Sequence, residues 1–418
     1  MKQDILSLFL NAYATKLRLM RIFNHARNQQ NRSILILPPS NFGSIGDEAM
    51  ITGIIDYFKD KGVEKIGLIS CSLSPDWNNF KTESQNLKIV HHIFSDSWKQ
   101  WFEFTKLAST YDQFYCLGAD VMDGKYSEYR SARRIQCAAL AKQTGTDSAI
   151  LGFSFNEEPT EKVVEAFQKL PLDIKLYARD PISQNRLIQK LKRPIELVAD
   201  LAFLVHPASN DGHVSDVLKW IKDQKINQRV VLGINANSQI ISQPDEQDIN
   251  KIIHIYVEAL TEIYSQNDNV SFILVPHDFR HPDKKSSDIG LSEAIWQDLP
   301  AEVQYHCLKL PAQFSARQIK SIAGNLDMVL SGRMHFAIAC LGQGTPVACI
   351  TYQGKFEGLF RHFELEGMLI KPEEALEESN LGKLIIALLE KRDHIRKNIQ
   401  NKLSKVQQLA QANLYDQV

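Results

Sequence analysis

The sequence predicts an α/β protein whose two doubly wound lobes face a central cleft. Short apolar runs alternate with segments of helical periodicity through most of the chain, which is typical of a parallel sheet covered by helices. The 418 residues exceed one ordinary core at about 100–200 residues per domain, so we expect two domains. A polar, turn-rich gap at 206–213 interrupts the alternation, which then starts again.

The predicted strands are apolar runs that end at Pro, Gly, Asn or Asp and lead into helical segments. We divide the chain into an N-terminal amphipathic helix (1–32), an N-terminal α/β lobe (33–208), a C-terminal α/β lobe (209–380) and a C-terminal helix (381–418). The predicted strands of the first lobe are 33–39 (SILILPP), 65–70, 87–93, 113–120, 148–155, 174–180 and 195–203 (IELVADLAF); those of the second are 229–237, 270–278, 303–310 (VQYHCLKL), 326–332 and 346–352.

The first 32 residues combine apolar positions at helical spacing with cations such as Lys16, Arg18 and Arg21. Two interpretations stay open: a helix packed on its own lobe with the basic face in water, or a helix that contacts an anionic membrane or a partner. No apolar run approaches the ~18–20 residues that span a bilayer. We expect a cytoplasmic protein, at the inner face of the membrane under the second interpretation.

Composition excludes several classes of function. The net charge of -1 provides no general attraction for nucleic acid, so an anionic ligand must be bound by a few local cations. None of the six cysteines belongs to a C-x-x-C pair, and we expect small buried side chains in a reducing compartment rather than a zinc site or disulfides.

Polar clusters follow the predicted strands, where open α/β sheets bind ligands. The loop after the first strand, SNFGSIGDE, contains Asn41, Gly43, Gly46 and Asp47. Its glycines and the following helix N-terminus suit an anion, although Asn41 as a turn residue and Asp47 as a helix cap explain the pattern equally well.

Two more clusters lie in the first lobe. Asp120 and Asp123 in LGADVMDG are either turn residues or a base and hydroxyl anchor for a sugar. Arg179 ends the strand in YARD; an isolated arginine there more often pairs with a neighbouring acid than binds a substrate.

The second lobe has two clusters. His277 and Asp278 follow the apolar run in VPHDFRHP, a loop that is substrate-facing or simply solvated. In LSGRMHFAIACLG, Ser331 could cap a helix, but Arg333 and His335 place cationic groups where the helix dipole disfavours them. Such a conflict with local preference indicates function, because helix amides, guanidinium and imidazole together suit one anion.

At this stretch the sequence resembles the polysaccharide pyruvyl transferase family. The likeness runs in order from about residue 33 to 365 and includes NFGSIGDEAM, LGADVMDG, ARDPIS, VADLAF, VPHD and SGRMHFAIACLGQGTPVACITYQGKFEGLF. It implies two Rossmann-like lobes of the GT-B type and transfer of the enolpyruvyl carbons of phosphoenolpyruvate onto two sugar hydroxyls, which forms a cyclic ketal in a cell-surface polysaccharide or its precursor.

The resemblance also implies roles for individual residues. Arg333 and Arg179 would bind the donor, and His335 would be the general acid. Asp123, Asp120 or Asp47 would accept a hydroxyl proton. We further expect substrate contacts by Ser331 and Lys355, a carbohydrate acceptor, and neither a metal nor an organic cofactor.

Two alternatives remain. A nucleotide-sugar-dependent glycosyltransferase or epimerase of the same architecture would use Arg333 to hold a diphosphate. A non-catalytic carbohydrate-assembly partner is favoured only by one departure from the family, which usually has a run of glycines where this chain has Gly118-Ala119-Asp120. That departure would change the acceptor pocket or reduce activity.

Overall fold

The computed structural model describes residues 2–25, 32–59, 61–71, 77–80, 86–92, 97–208, 212–311, 313–352 and 354–415. The chain forms two compact units, and neither is one continuous segment. The first unit comprises residues 1–42, 50–204 and 409–418, and the second comprises 43–49 and 205–408. The segment Gly43–Ala49 therefore belongs with the second unit although its neighbours in sequence belong to the first.

The first unit is built on a parallel sheet with the order β3-β2-β1-β4-β5-β6-β7. Its central strands are apolar at nearly every position, as expected when both faces of a sheet are covered. The strands are β1 (Arg32–Leu37), β2 (Val63–Ser70), β3 (Leu87–His91), β4 (Gln113–Ala119), β5 (Asp147–Phe153), β6 (Lys175–Ala178) and β7 (Glu196–Leu197).

The helices of the first unit connect these strands. They are α1 (Lys2–His25), α2 (Ile45–Phe58), whose first turn lies in the segment Gly43–Ala49, α3 (Trp98–Ala108), α4 (Glu128–Gln143), α5 (Glu161–Gln168) and α6 (Pro181–Leu191), with short 3-10 helices at Trp77–Asn79 and Leu201–Leu204. Helix α1 packs on α3 and α4 with Leu10 and Ala14 fully buried. Residues 26–31 of the predicted N-terminal segment lie outside the described residues.

The second unit repeats the architecture with the order β10-β9-β8-β11-β12-β13. Its strands are β8 (Val230–Asn235), β9 (Val270–Leu274), β10 (Cys307–Lys309), β11 (Met328–Ser331), β12 (Val347–Ile350) and β13 (Leu369–Ile370). Its helices are α7 (Gly212–Ile226), α8 (Glu246–Gln266), α9 (Asp288–Asp298), α10 (Ala301–Tyr305), α11 (Ala316–Asn325), α12 (Met334–Leu341), α13 (Phe356–Arg361), α14 (Pro372–Ala375) and α15 (Asn380–Tyr415), with 3-10 helices at Ser238–Ile240 and Glu366–Met368; α15 continues into the first unit from Leu409.

Each sheet has one point at which the strand order reverses, and these are the usual ligand positions of such sheets. The order reverses between β1 and β4 in the first sheet and between β8 and β11 in the second. The loops with Asn41 and Asp120 follow β1 and β4, and the loop with Arg333 follows β11. Both sets of predicted residues thus lie at the carboxyl ends of the strands beside a reversal.

Two strand predictions are wrong in part. The predicted strand 195–203 ends at Leu197, because the Asp200 side chain accepts a hydrogen bond from the Ala202 amide at 2.9 Å and a 3-10 turn begins there. The predicted strand 303–310 begins only at Cys307, since its first residues belong to α10, which starts after Pro300. Among the described helices, none is long and apolar enough to cross a membrane.

Candidate functional site

The loops after β8 and β11 pack tightly where the second sheet reverses. The Gly332 amide donates to the Asn235 carbonyl at 2.9 Å, and Asn237 Nδ2 donates to the Gly332 carbonyl at 2.9 Å. A Cβ atom at position 332 would lie 2.8 Å from Cβ of Asn237. Only glycine permits this approach, which fixes the chain just before Arg333.

Arg333 occupies the N-cap position of α12. An arginine side chain has no acceptor, so it cannot cap the amides of the first turn. Ser331 Oγ instead accepts from the Arg333 amide at 3.1 Å and donates to the Arg333 carbonyl at 2.8 Å. These bonds fix the backbone and leave the guanidinium to other partners.

The guanidinium of Arg333 is held mainly by Asp288. Nη2 lies 2.7 Å from Asp288 Oδ1, and Nε donates to both carboxylate oxygens at 3.2 and 3.3 Å. Nη1 donates to Gln239 Oε1 at 3.0 Å, and Nη2 lies 3.7 Å from Asp278. With 15% of its side chain exposed, Arg333 is a positioned cation that solvent still reaches.

Asp288 is the residue that sequence reasoning missed. It begins α9, is completely buried, and also accepts from Asn235 Nδ2 at 3.2 Å and from the His277 amide at 3.0 Å. A buried carboxylate with this many donors has its oxygens paired, and it orients Arg333. In the sequence it lies in the polar stretch after the predicted strand 270–278, whereas in the structure Ser287 caps α9 directly before it.

His335 lies directly against the segment Gly43–Ala49. A Cβ atom at Gly46 would lie 2.2 Å from Nδ1 and 2.5 Å from Cγ of the imidazole. The segment is fixed by the Ile45 amide, which donates to the His277 carbonyl at 3.3 Å, and by the Phe279 amide, which donates to the Gly43 carbonyl at 2.8 Å. Within the second unit, the structure therefore brings together residues of three predicted clusters. They are the part of the loop after β1 that contains Gly43, Gly46 and Asp47 (the glycine loop), the loop after β9, and the stretch from Arg333 to His335.

The loop after β9 contributes one neutral and one ionised side chain. Burial, together with the nearby His335 and Arg333, lowers the pKa of His277 to about 3, so its imidazole is neutral at physiological pH. Burial would raise the pKa of Asp278, but its ion pair with Arg280 and the nearby Arg333 more than offset this and lower it. Asp278 is thus a carboxylate that balances two arginines.

Two acidic residues of α2 also belong to this unit. Asp47 is buried and lies close enough to Arg280 for electrostatic attraction. Glu48 Oε1 accepts from the Ala316 amide at 2.7 Å, at the N-terminus of α11. Burial raises the pKa of Glu48 to about 7, although that amide and Arg317 oppose the shift. Glu48 anchors the glycine loop to α11.

Lys355 follows Arg333 in the sequence, directly before α13, and belongs to the same unit. Its Nζ is 4.3 Å from the centre of the Tyr352 ring, and Lys355 itself is buried. Tyr352 interacts electrostatically with Arg333. Tyr352 therefore lies between Lys355 and the group of side chains around Arg333 in this chain of interactions.

In the first unit, Arg179 is buried at the end of β6 in an ion pair with Asp200. Nη1 lies 2.8 Å from Asp200 Oδ2, and Nε donates to Ser154 Oγ at 2.8 Å. Asp180 caps α6 by accepting from the Ser183 amide at 2.7 Å. Both partners of Arg179 were missed in the sequence, because they lie on other loops. The pairing fixes the guanidinium, and its role in binding stays a prediction.

Asp120 and Asp123 follow β4, beside β5 of the same sheet. Asp123 is buried and accepts from the Lys125 amide at 2.9 Å and from Asn156 Nδ2; burial raises its pKa despite these bonds. Asp120 is partly exposed and accepts from Tyr126 Oη at 3.3 Å. Asn41 is exposed at the end of the β1 loop. These roles also stay predictions.

The departure from the family's glycine run has a structural consequence. Ala119 has φ of 47°, in the left-handed region that favours glycine. Its carbonyl accepts from the Ser154 amide at 2.7 Å, which holds this conformation. Position 119 accepts alanine, but position 118 requires glycine, since a Cβ at Gly118 would lie 2.4 Å from Cβ of Phe153.

A metal centre would need three or more His, Cys, Asp or Glu side chains in one group, and no such group exists among the residues that the structure describes. The described cysteines are free thiols, and five of the six are buried.

Comparison with solved structures shows the fold. The chain is similar to an α,α-trehalose-phosphate synthase (UDP-forming) from Burkholderia vietnamiensis, with 10% identity, a TM-score of 0.52, and 94% of this chain and 99% of that chain covered. It is also similar to S. aureus MnaA in a co-structure with UDP, with 10% identity, a TM-score of 0.54, and 89% of this chain and 91% of that chain covered. A third similar structure is UDP-GlcNAc 2-epimerase from Neisseria meningitidis bound to UDP-GlcNAc, with 11% identity, a TM-score of 0.52, and 92% of this chain and 100% of that chain covered. The prediction of two parallel-sheet α/β lobes of the GT-B type is confirmed.

The sequence comparisons identify the family. No curated protein matches the sequence at a significant level. The family model described as polysaccharide pyruvyl transferase matches residues 45–354, well over half of the 418 residues, and this range contains Gly46, Arg333 and His335. The chain belongs to the polysaccharide pyruvyl transferase family, a family of transferases that modify polysaccharides.

Proposed function

We propose that the protein transfers the enolpyruvyl carbons of phosphoenolpyruvate onto two hydroxyls of a sugar in a cell-surface polysaccharide or its precursor. The products are a cyclic pyruvate ketal and inorganic phosphate. The observation that carries the proposal is the position of Arg333 and His335, which flank the N-terminus of α12 where the second sheet reverses. The family match supports the same reaction class.

Phosphoenolpyruvate presents a phosphate and a carboxylate in a small volume, so it requires cations with fixed geometry. Arg333 is held by Asp288 through Nε and Nη2, whereas Nη1 donates to the neutral Gln239 amide. An anionic oxygen is a stronger acceptor than an amide oxygen, and it would replace Gln239 without disturbing the Asp288 pair. The donor therefore binds at Nη1 of Arg333, and Arg179 remains the predicted second cation.

The reaction needs one proton donor and one proton acceptor. His335 protonates the methylene carbon of the donor, and C2 becomes electrophilic. The first sugar hydroxyl adds to C2 and gives its proton to a carboxylate, for which Asp47 in the second unit or Asp120 and Asp123 in the first are the candidates. That proton restores His335.

The second half of the reaction closes the ring. The bond between C2 and the phosphate oxygen breaks, and phosphate leaves with both bonding electrons. The second hydroxyl then adds to C2 and its proton leaves with the phosphate. The two hydroxyl protons thus end on the methyl group and on phosphate, and the step needs no oxidant or reductant. We propose that neither a metal nor an organic cofactor takes part.

The test is to incubate the full chain with phosphoenolpyruvate and a panel of glycans, free, lipid-linked and polymeric. We expect a glycan mass gain of one pyruvate less one water, with an equal amount of phosphate released. His335→Gln should still bind phosphoenolpyruvate but form no ketal, and Arg333→Ala should lose both. Ketal formation at the wild-type rate by either variant would refute the assignment.

A second arm separates this proposal from a nucleotide-sugar enzyme. Phosphoenolpyruvate at 100 times its Kd should raise the free energy of unfolding by about 2.7 kcal/mol, because it binds only the folded state. A comparable response to UDP-sugars, with none to phosphoenolpyruvate, would overturn the proposal. For Arg179 the suitable variant is Arg179→Lys, since removal of the charge would leave Asp200 buried without its partner.

A further inference from the structure

Helix α1 has two apolar faces, and only one is covered by its own unit. The covered face packs on α3 and α4 through Leu10 and Ala14, which are 1% and 0% exposed. Arg21 fixes the helix from the same side: its guanidinium donates to the Tyr111 carbonyl at 2.6 Å and pairs with Asp112 at 2.7 Å. The orientation of α1 on the first unit is therefore well determined.

The opposite face presents large hydrophobic side chains to solvent. At 100° per residue, Leu8, Leu19 and Ile22 lie on the side of the helix away from Leu10, and they are 72%, 53% and 59% exposed. Five large exposed hydrophobic residues belong to this one helix: Leu8, Phe9, Leu19, Met20 and Ile22. Isolated exposed leucines are normal on a protein surface, but a cluster on one helix face marks an interaction site.

The cluster extends onto α3. Trp98, at the start of α3, is 43% exposed, and its ring centre lies 6.1 Å from that of Phe9. Tryptophan at the edge of an apolar face favours the boundary between lipid and water, and phenylalanine adds apolar area to such a face.

Two cations lie among or beside the exposed apolar side chains of α1. Around the helix, Arg18 is exposed beside Ile22 and Lys16 is exposed between Leu19 and Phe9, and the segment from residue 5 to 31 contains no acidic residue. The stem of Arg18 lies against the chain at Gly145, where a Cβ would be 3.3 Å from Arg18 Cγ. On α1 itself, the charged side chains from residue 5 onward are positive, and an apolar face with such neighbours is complementary to an anionic lipid surface.

We propose that this face of α1, with Trp98 of α3, binds an anionic phospholipid surface. A second copy of the chain fits less well, because a two-fold interface through the same face would bring Lys16 and Arg18 of both copies together, and residues 5–25 of α1 offer them no acidic partner. Binding combines burial of the apolar side chains with attraction between the two cations and lipid headgroups.

The experiment measures sedimentation of the full chain with phosphatidylcholine vesicles that contain or lack phosphatidylglycerol. We expect binding that requires phosphatidylglycerol and weakens with added salt. The variant with Leu8→Ser, Leu19→Ser and Ile22→Ser should bind at least tenfold more weakly, and the variant with Lys16→Gln and Arg18→Gln should lose the dependence on phosphatidylglycerol.

A matched control carries the same kind of change elsewhere on the surface. Leu172→Ser, Ile226→Ser and Tyr305→Ser alter side chains that are 78%, 68% and 85% exposed, and this variant should bind like wild type. Because all the altered side chains are exposed, thermal melting should be unchanged in every variant.

Three results would overturn the proposal. The first is equal binding by wild type and the variant with Leu8→Ser, Leu19→Ser and Ile22→Ser, and the second is no binding to either kind of vesicle. The third is a concentration-dependent dimer that the same variant abolishes, which would make a second copy the occupant. The measurement uses no substrate, so failure of lipid binding leaves the proposed activity unaffected.

Discussion

Gly46→Ala tests the contact between the glycine loop and His335. The added Cβ would lie 2.2 Å from Nδ1, 2.5 Å from Cγ and 2.9 Å from Cβ of His335, whereas an ordinary contact is 3.4 Å or more. The imidazole or the loop must therefore move by about 1 Å, the scale at which misplacement of a catalytic group costs roughly 10²-fold in rate. The φ angle of Gly46 is not positive, so the effect of the alanine is steric and is not due to backbone strain.

The assay is phosphate release coupled to ketal formation, with kcat and KM measured separately, alongside a thermal melt. We expect kcat to fall by roughly 10²-fold and the free energy of unfolding to fall by about 1–3 kcal/mol, as for other overpacked sites. Gly367→Ala is the matched control, because nothing lies within 4 Å of a Cβ there. Wild-type kcat in Gly46→Ala would refute the placement of the imidazole against this loop.

Three further predictions concern other contacts of the two units. Asp288→Asn should lower the free energy of unfolding by about 2–3 kcal/mol, which is less than the full loss of a buried ion pair because the amide oxygen still accepts one bond. It should also lower kcat, because Arg333 is misplaced. Unchanged urea melts and unchanged kcat would contradict this prediction. Glu48 has a folded-state pKa of about 7, above its ordinary value of 4.5. Between these two pH values the folded state binds more protons than the unfolded state, so the wild type loses stability as the pH rises through that range. Glu48→Gln should remove this loss, with a gain over wild type of up to about 3 kcal/mol at about pH 8 and little gain near pH 4.5; equal gains in urea melts at both pH values would refute the raised pKa. Ala119→Gly should leave the free energy of unfolding unchanged or raise it by up to about 1 kcal/mol, because relief of the left-handed strain competes with the entropy of glycine, whereas a loss of more than 1 kcal/mol would show that φ is not positive there.

Local sequence patterns were sufficient to predict the two parallel sheets. Buried strands such as β4 are continuous apolar runs, and polar turn residues follow directly. The pattern failed where a side chain changed the backbone locally. Apolar residues continue past Leu197, but Asp200 captures a backbone amide and turns the chain. Hydrophobicity alone does not distinguish such a turn from a longer strand.

The candidate site was predictable where a residue conflicts with its local setting. Arg333 and His335 stand out because cations are disfavoured at a helix N-terminus. Asp288 does not stand out, because it lies in a polar stretch with other charged residues, and its pairing with Arg333 spans 45 residues. The contact of Gly46 with His335 likewise depends on packing between distant segments, which no local pattern encodes.

The most direct test of the central claim is calorimetric titration of phosphoenolpyruvate into wild type and Arg333→Ala. The wild type should bind one equivalent, and the variant should bind at least roughly 30-fold more weakly, as expected for loss of about 2 kcal/mol from a charge-assisted bond. Equal affinity in the two proteins, or no binding to the wild type, would contradict the assignment of Arg333 as the donor-binding cation.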